Sequence, residues 1–426
     1  MSDAALPPNG LEVPDLQWFR ASDEPLRQLI DWEYSQQTGE RRFSGATIED
    51  PLYGRFHFDY AVPGDAALLD LVVSEPFNRL ALIEQLILPE QFATKPEAAR
   101  YTTYEHSLGC ALLVRRLGGS AEQQLRAAIH DISKKAFGHL DDWRKQGVGG
   151  PEDFHESTMH EHLAYWGLDR MFEMRGFSVD ALVQKQPPDF VENSAPDLCV
   201  DRVDYALREF ARWTCPDEVP RLIEELLVQD GMIVLKSQAS ARIFADNYHR
   251  LYWEHWSETE HAVREKLLLV AIDEGVKTGA ITEADMDTVD PLVLVKLEMF
   301  GNEVVQELLR MLQQPRLALQ VMKGFDSAIP KDYLASQTDR VYIPLQDFKR
   351  RWVDPSFINE TGARIRLSQV DPEFREYLET SAQVTTAEQL EAFGQLHGID
   401  EPWMQYVEVA TDAEGKNILR SSGQFF

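Results

Sequence analysis

Cysteine is scarce in this 426-residue chain: Cys110, Cys199 and Cys215 are the whole supply. Three thiols cannot build a disulfide framework, and none stands in a CxxC pair. That fits a reducing compartment and argues against a thiolate zinc site. No run of eighteen apolar residues occurs, so no segment is expected to span a membrane. The first ten residues offer neither a basic n-region nor an apolar h-region, so no signal peptide is expected and a cytoplasmic location is inferred. Basic residues are few as well, 42 Lys and Arg against 71 Asp and Glu, a formal net charge of −29. Such a field repels a long nucleic acid, whereas a small anion in a locally cationic pocket stays compatible with it. A hydrophobic content of 44% and an aromatic content of 10% supply a sizeable core and exclude whole-chain disorder.

The pattern along the chain is mainly helical, with no internal repeat and no low-complexity tract. Between Thr103 and Leu117 apolar residues recur at roughly helical spacing until Gly118-Gly119 stops them. Ser120 and Gln123 then form a capping box that opens a second helix running to His130. Further amphipathic segments are expected at about 156–167, 201–213, 217–228, 237–257, 258–275, 292–314 and 316–323. Residues 48–64, with alternating polarity, Pro and Gly, read as a short strand or hairpin ahead of the helices. From Val341 onward VYIPL, RRWVDPSF and ARIRLS alternate as short strands do, and Asp371-Pro372 opens a helix. The expected division is a 1–47 N-terminal extension, a 48–330 helical core and a small 331–426 α/β region.

Four features in order carry the chemistry: His106, His130-Asp131, His155-Glu156 and Asp201. Imidazole and carboxylate together suit a divalent metal that keeps open positions for water and substrate. A single His-Asp pair is weak, because a chain with 11 His and many Asp produces one by chance. HESTMH at 155–160 imitates the zinc-protease helix HExxH but is one residue too long. Histidines at i and i+5 differ by roughly 140° around a helix and cannot clamp one ion from a regular helix, which argues strongly against a metalloprotease.

TYEHSLGCALLVRRLGG followed by AAIHDISKKAFGH resembles the HD-domain phosphohydrolases, whose pattern is H…HD…D. The nearest resemblance is to their deoxynucleotide triphosphohydrolase branch. DPLYG at 50–54 resembles its opening motif, with Tyr53 in place of the usual histidine. EPFNRLALIEQL at 75–86 and VDRVDYALRE at 200–209 resemble two of its helices, and YHRLYWEH and RWVDPSF fall where bacterial relatives carry similar segments. The resemblance implies a mainly α HD-domain helical bundle and one divalent ion (Mn, Fe, Mg, Ni, Co or Zn) on His106, His130, Asp131 and Asp201. It implies His155 as general acid oriented by Glu156, and a small phosphorylated substrate, a dNTP-like nucleotide or another phosphate ester. Gln85, Lys135, His139, Arg202, Tyr205 and Glu209 are expected to face that substrate, and a homo-oligomer is expected. Two departures stand out. The family's HDIGH reads HDISK, so Lys134 takes the place of an auxiliary histidine and is assigned to catalysis as a cation, being a poor proton shuttle near neutrality. Thr103 replaces a phosphate-binding arginine. These changes leave a nucleotide sensor without turnover as the alternative. An HD-type di-iron oxygenase, which needs ligands beyond this set, is disfavoured because only His139, His160 and His162 are spare nearby. Lys349, Arg350 and Arg351 read as a solvated edge strand, with a phosphate or partner contact as the alternative.

Overall fold

The computed structural model describes residues 30–35, 42–94, 101–146, 157–184, 190–321, 341–344, 351–382 and 406–409, together with 415 and 419. An antiparallel sheet comes first, in the order β1 (Ile30–Ser35), β2 (Arg42–Asp50) and β3 (Gly54–Asp59). Asp50 shapes the β2–β3 turn by accepting from the backbone N–H of Leu52 at 2.8 Å and of Tyr53 at 3.1 Å, and Gly54 closes it at φ +85°. The hairpin expected at 48–64 is present, but its first strand starts at Arg42, across the division placed at residue 47.

The helices that build the site follow: α1 (Pro63–Val72), α2 (Glu75–Arg79), α3 (Thr103–Arg116), α4 (Ala121–Ile129), α5 (His139–Gln146) and α6 (Val200–Glu209). Both expected starts are real. Thr102 and Glu105 form a capping box on α3, and Ser120 and Gln123 form one on α4. A short turn through Gly118, at φ +80°, folds α4 back against α3, and α6 packs on α3. This places the start of α3, the end of α4 and the start of α6 together.

Several boundaries differ from the sequence reading. The helix expected at 217–228 is α7 (Val219–Glu225), after which the chain switches to β4 (Leu226–Gln229) and β5 (Met232–Leu235). Asp230-Gly231, both at positive φ, make the tight turn between them. Aliphatic runs on either side of Asp-Gly are a hairpin signal that outranks the helical reading. After α8 (Gln238–Leu251) and α9 (Thr259–Thr278), the helix expected at 292–314 splits into α10 (Asp290–Phe300) and α11 (Glu303–Leu312). Gly301 marks the break; a Cβ there would lie 2.4 Å from the Leu297 carbonyl oxygen. Residues 319–321 of the expected 316–323 helix form strand β6 (Leu319–Val321), which pairs with β10 (Tyr406–Val409) beside β7 (Val341–Pro344).

The C-terminal segment 351–382 does not stand apart as the division at 330 implies. Its β8 (Ser356–Ile358) pairs in parallel with β5 at Leu235 and Phe357, and β9 (Arg364–Arg366) completes the sheet β4-β5-β8-β9. Val353, Leu367 and Phe374, the last from α12 (Pro372–Ala382), are buried in the same core cluster as α1, α3, α4, α6 and α8. A second apolar cluster joins α5, α9, α10 and α11. Among the described residues no helix is long and apolar enough to cross a membrane.

Candidate metal centre

Four donor atoms converge where α3, α4 and α6 meet. His106 Nε2 lies 3.0 Å from Asp201 Oδ1, 3.2 Å from His130 Nε2 and 3.8 Å from Asp131 Oδ2. His130 Nε2 lies 3.3 Å from Asp131 Oδ2 and 3.7 Å from Asp201 Oδ1. The chemistry of the donors shows what fits between them. The Nδ1 of His130 is 2.7 Å from the Ala127 carbonyl, which can only accept, so that nitrogen carries a proton. The Nδ1 of His106 is 2.8 Å from Asp204 Oδ2 and donates to it. A neutral ring therefore presents a bare Nε2 lone pair in each case, and the two lone pairs face each other beside two carboxylates. Only a positive charge satisfies that set, and ligating histidines are fixed in this way by the hydrogen bond of the other ring nitrogen. The side chains fit a divalent ion. The same field acts on protons: burial opposes charge on the rings, yet the carboxylates win, raising His106 and pushing His130 up to about 9. Burial likewise opposes charge on Asp201, but the two imidazoles hold it well below the usual carboxylate range. Asp201 keeps 42% of its side chain open.

Behind the donors lies a network that sequence reasoning missed. Asp204, fully buried, receives His106 Nδ1, the Tyr53 hydroxyl at 2.9 Å and Arg208 Nε at 2.9 Å. Arg208 also donates to Asp50 at 2.8 Å. The DPLYG turn thus reaches the cluster through Tyr53 and Asp50 and fixes the orientation of His106. Gly109 makes room for this: a Cβ there would sit 1.9 Å from Arg208 Nη2 and 2.4 Å from Asp204 Oδ1. A glycine inside a helix costs about 1 kcal/mol, and that cost was the available signal of a close approach. Cys110, one turn after His106, was also passed over. Its Sγ lies 3.8 and 3.9 Å from the His106 nitrogens, forming a potential ligand group with His106 and His130. Burial and the charges of Asp204, Asp201 and Asp131 push its thiol pKa well up, so the oxygens are the stronger donors.

The cluster opens into a cavity of about 1170 Å³. Of the residues expected to face substrate, Gln85, His139, Arg202, Tyr205 and Glu209 line it. Gln85 Oε1 is buried without a hydrogen-bond partner. His139 Nδ1 lies 3.0 Å from Asp142. Arg202 spends its Nη1 on the carbonyls of Asn193 and Asp197, holding the 193–199 loop. Glu209 accepts from Trp256 Nε1 at 2.9 Å and from the Tyr101 hydroxyl at 3.4 Å, and burial raises its carboxyl to about 7 against those hydrogen bonds. Lys135 does not belong with them: its ammonium pairs with Asp287 at 3.1 Å and does not line the cavity, because a long stem can turn either way out of a loop. Lys134 is 2% exposed, its Nζ 2.6 Å from Asp131 Oδ2. Arg79 pins the loop that carries it, donating to the carbonyls of Ile132, Lys134 and Thr288. His155, Glu156, Lys349 and Arg350 lie outside the described residues. The spare histidines do not join the donors: His160 faces Asp180 on the surface and His162 lies against Trp166. Thr103 is fully buried at the start of α3. Arg351, read as a solvated residue, instead lines the cavity with Trp352, and its guanidinium lies 6.0 Å from the ring centres of both Tyr205 and Trp256.

Known proteins share the fold or part of the sequence. A phosphohydrolase from Bacteroides thetaiotaomicron superposes with a TM-score of 0.57 at 16% identity, covering 86% of this chain and 100% of that one. A hypothetical protein from Aquifex aeolicus does so with a TM-score of 0.56 at 16% identity, covering 89% and 99%. The chain has the mainly α fold of these two proteins. In sequence it is 26% identical over 316 residues to YdhJ of Bacillus subtilis, named uncharacterized, across 74% of this chain and 92% of YdhJ. It is 32% identical over 164 residues to the metal-dependent phosphohydrolase cns2 of Cordyceps militaris, across 38% of this chain and 44% of that protein. The cns2 match therefore spans less than half the length of that relative. No protein-family model matches the chain.

Proposed function

We propose that this HD-fold protein is a metal-dependent phosphohydrolase acting on a nucleotide, dNTP-like, or another small phosphate ester. The observation that supports the reading is the convergence of His106, His130, Asp131 and Asp201 beside the cavity, with the imidazole nitrogens 3.0–3.8 Å from each other and from the carboxylates. A divalent ion on these side chains supplies Lewis acidity toward a phosphoryl oxygen and a water acidic enough to attack phosphorus near neutral pH. The protein residues do the rest. Lys134 holds Asp131 in place and adds positive charge beside the phosphate. Arg202 contributes a second cation to the same wall. The rings of Tyr205, Tyr248 and Trp256 form an aromatic wall in tilted and edge contacts, against which a base or sugar can pack. As the water oxygen bonds to phosphorus it releases a proton to solvent, the ester P–O bond breaks, and the leaving oxygen takes its proton from His155, with Glu156 holding that imidazole; this assignment stands on the sequence pattern.

A panel of nucleotides and phosphomonoesters with Mn²⁺, Mg²⁺, Co²⁺ and Ni²⁺ tests the reading. Some pair is hydrolysed, and Asp201→Ala or His130→Ala abolishes both turnover and bound metal. His155→Ala abolishes turnover and spares metal, which separates the proton donor from the donor cluster. One observation favours the sensor alternative: the Lys134 ammonium already sits on Asp131 and competes with a cation for it. Under that reading metal and nucleotide bind, no pair is hydrolysed, and Lys134→His raises metal affinity. A homo-oligomer belongs to the same proposal; exposed Leu292, Val295, Met299 and Phe300 on α10 support it, and light scattering in solution decides it.

A further inference from the structure

Cys110 stands one turn after His106 on α3, and positions i and i+4 share a helix face. Its Sγ lies 3.9 Å from His106 Nε2, and the Nε2 atoms of His106 and His130 lie 3.2 Å apart. One donor atom from each of the three residues falls within 4.8 Å of the others. Ligands of one tetrahedral ion, held at about 2.1 Å through nitrogen and about 2.3 Å through sulfur, stand roughly 3.3–3.6 Å apart. The trio is close to that spacing, so a small side-chain adjustment brings the sulfur and both imidazoles onto one cation. Cys110 also lines the cavity, together with His130 and Asp201. The sequence argument against thiolate ligation looked for paired cysteines; a single thiol among imidazoles needs no pair.

The charges around the donors leave room for another anionic ligand. Lys134, where the chain departs from HDIGH, holds its Nζ 2.6 Å from Asp131 Oδ2, and an ammonium at that distance weakens the oxygen as a donor to a second cation. Asp201, with Oδ1 3.0 Å from His106 Nε2, is then the stronger carboxylate ligand. Two neutral imidazoles and one carboxylate leave a divalent ion with one positive charge unmatched, and a thiolate matches it. The carboxylates alone keep the proton on sulfur. A coordinating thiol instead loses that proton to solvent as the S–H bond breaks, and its electron pair turns to the cation. Sulfur also changes which ion is held. Thiolate favours borderline-soft ions such as Zn²⁺, Co²⁺ and Fe²⁺, whereas carboxylate and water favour Mg²⁺ and Mn²⁺.

We propose that Cys110 is a ligand of the metal centre and makes the site select a borderline-soft ion, Zn²⁺ or its substitute Co²⁺, over Mg²⁺ and Mn²⁺. The proposal rests on the metal-dependent reading above for the two imidazoles and Asp201, and it adds sulfur where the lysine-bound Asp131 is weakened.

Cobalt titration of the metal-stripped full-length chain reads the ligand without relying on turnover. A thiolate ligand gives a near-ultraviolet sulfur-to-cobalt charge-transfer band that imidazole and carboxylate do not. The band is expected in wild-type protein and in a Cys199→Ser, Cys215→Ser double variant, and is lost in Cys110→Ser and Cys110→Ala. In competition dialysis the preference for Zn²⁺ over Mn²⁺ falls about tenfold or more in both Cys110 variants, while Mn²⁺ affinity changes less than about twofold. The double variant leaves the α3 core untouched, so the assignment survives a Cys110 variant that fails to fold. Cobalt bound without the band, a band that persists in Cys110→Ala or disappears in the double variant, or an unchanged Zn²⁺ preference overturns the proposal and leaves the histidine–carboxylate site standing. A wild type that binds neither cobalt nor zinc overturns both.

Discussion

Asp204 touches no cavity surface, yet the orientation of His106 depends on it. Asp204→Asn keeps the shape but gives up the charge that His106, Tyr53 and Arg208 all address. Removing such a partner from a ligating histidine lowers metal affinity on the order of 10–100-fold, and equilibrium dialysis against Mn²⁺ reads that loss directly. Gly109→Ala makes the complementary test. Helix propensity alone favours alanine by about 1 kcal/mol, whereas a methyl 1.9 Å from the Arg208 guanidinium forces a shift. Overpacking of this kind costs about 1–3 kcal/mol. We expect a lower urea midpoint and weaker metal binding together; a stabilised variant with unchanged metal content would show that Arg208 relaxes freely. At this scale the sequence was informative for the donors themselves, because few side chains can replace an imidazole or a carboxylate beside a cation. It was silent on Asp204, Arg208 and Gly109 as a unit, since their roles exist only after α3 and α6 have packed. It left open whether Lys135 and Arg351 face the cavity, because long stems reach either way from a loop.

The loop after α4 is an element without regular structure, and two buried side chains shape it. Arg79 is held by three carbonyls and no carboxylate, and burial lowers its pKa to about 10. Arg79→Met leaves those carbonyls without their donor, each worth about 1–3 kcal/mol when buried. We expect a loss of several kcal/mol in urea unfolding, with Arg79→Lys little better. Asp290, at the start of α10, accepts from the Phe137 N–H at 2.6 Å and from the Glu84 N–H at 3.0 Å. Burial outweighs those hydrogen bonds and raises its carboxyl from 3.8 to about 7. The folded protein therefore holds this proton more tightly than the unfolded chain does. Its contribution to stability is complete below about pH 4 and is lost as pH rises through about 7. Stability measured across that window is expected to decline, and Asp290→Asn flattens the decline; an unchanged profile would show that another group sets it. Helix starts were readable here because capping boxes are local. The β4–β5 hairpin and the break at Gly301 depended on what the segments later pack against.

The whole molecule joins what the sequence suggested dividing. Val353, Leu367 and Phe374 carry little or no exposed surface and lie in the core that supports α3 and α6. Each large apolar side chain so buried is worth about 1.5–3 kcal/mol. A chain terminated after residue 330 is expected to unfold at lower denaturant and to bind a dye specific for exposed apolar surface, even though every proposed metal ligand remains in it. Cooperative unfolding of that fragment at the full-length midpoint would restore the boundary. Periodicity along the chain pointed correctly to a mainly α protein and to short strands near its end, but alternation alone does not say that one of those strands pairs with β5, far back in the chain.

That long-range pairing sets an order of events during synthesis. His106, His130, Asp131 and Asp201 leave the ribosome early, and Arg351 and Trp352, which complete the wall of the neighbouring chamber, follow well over a hundred positions later. A partly made chain can thus hold its imidazoles and carboxylates ready while the compartment beside them still stands open to water.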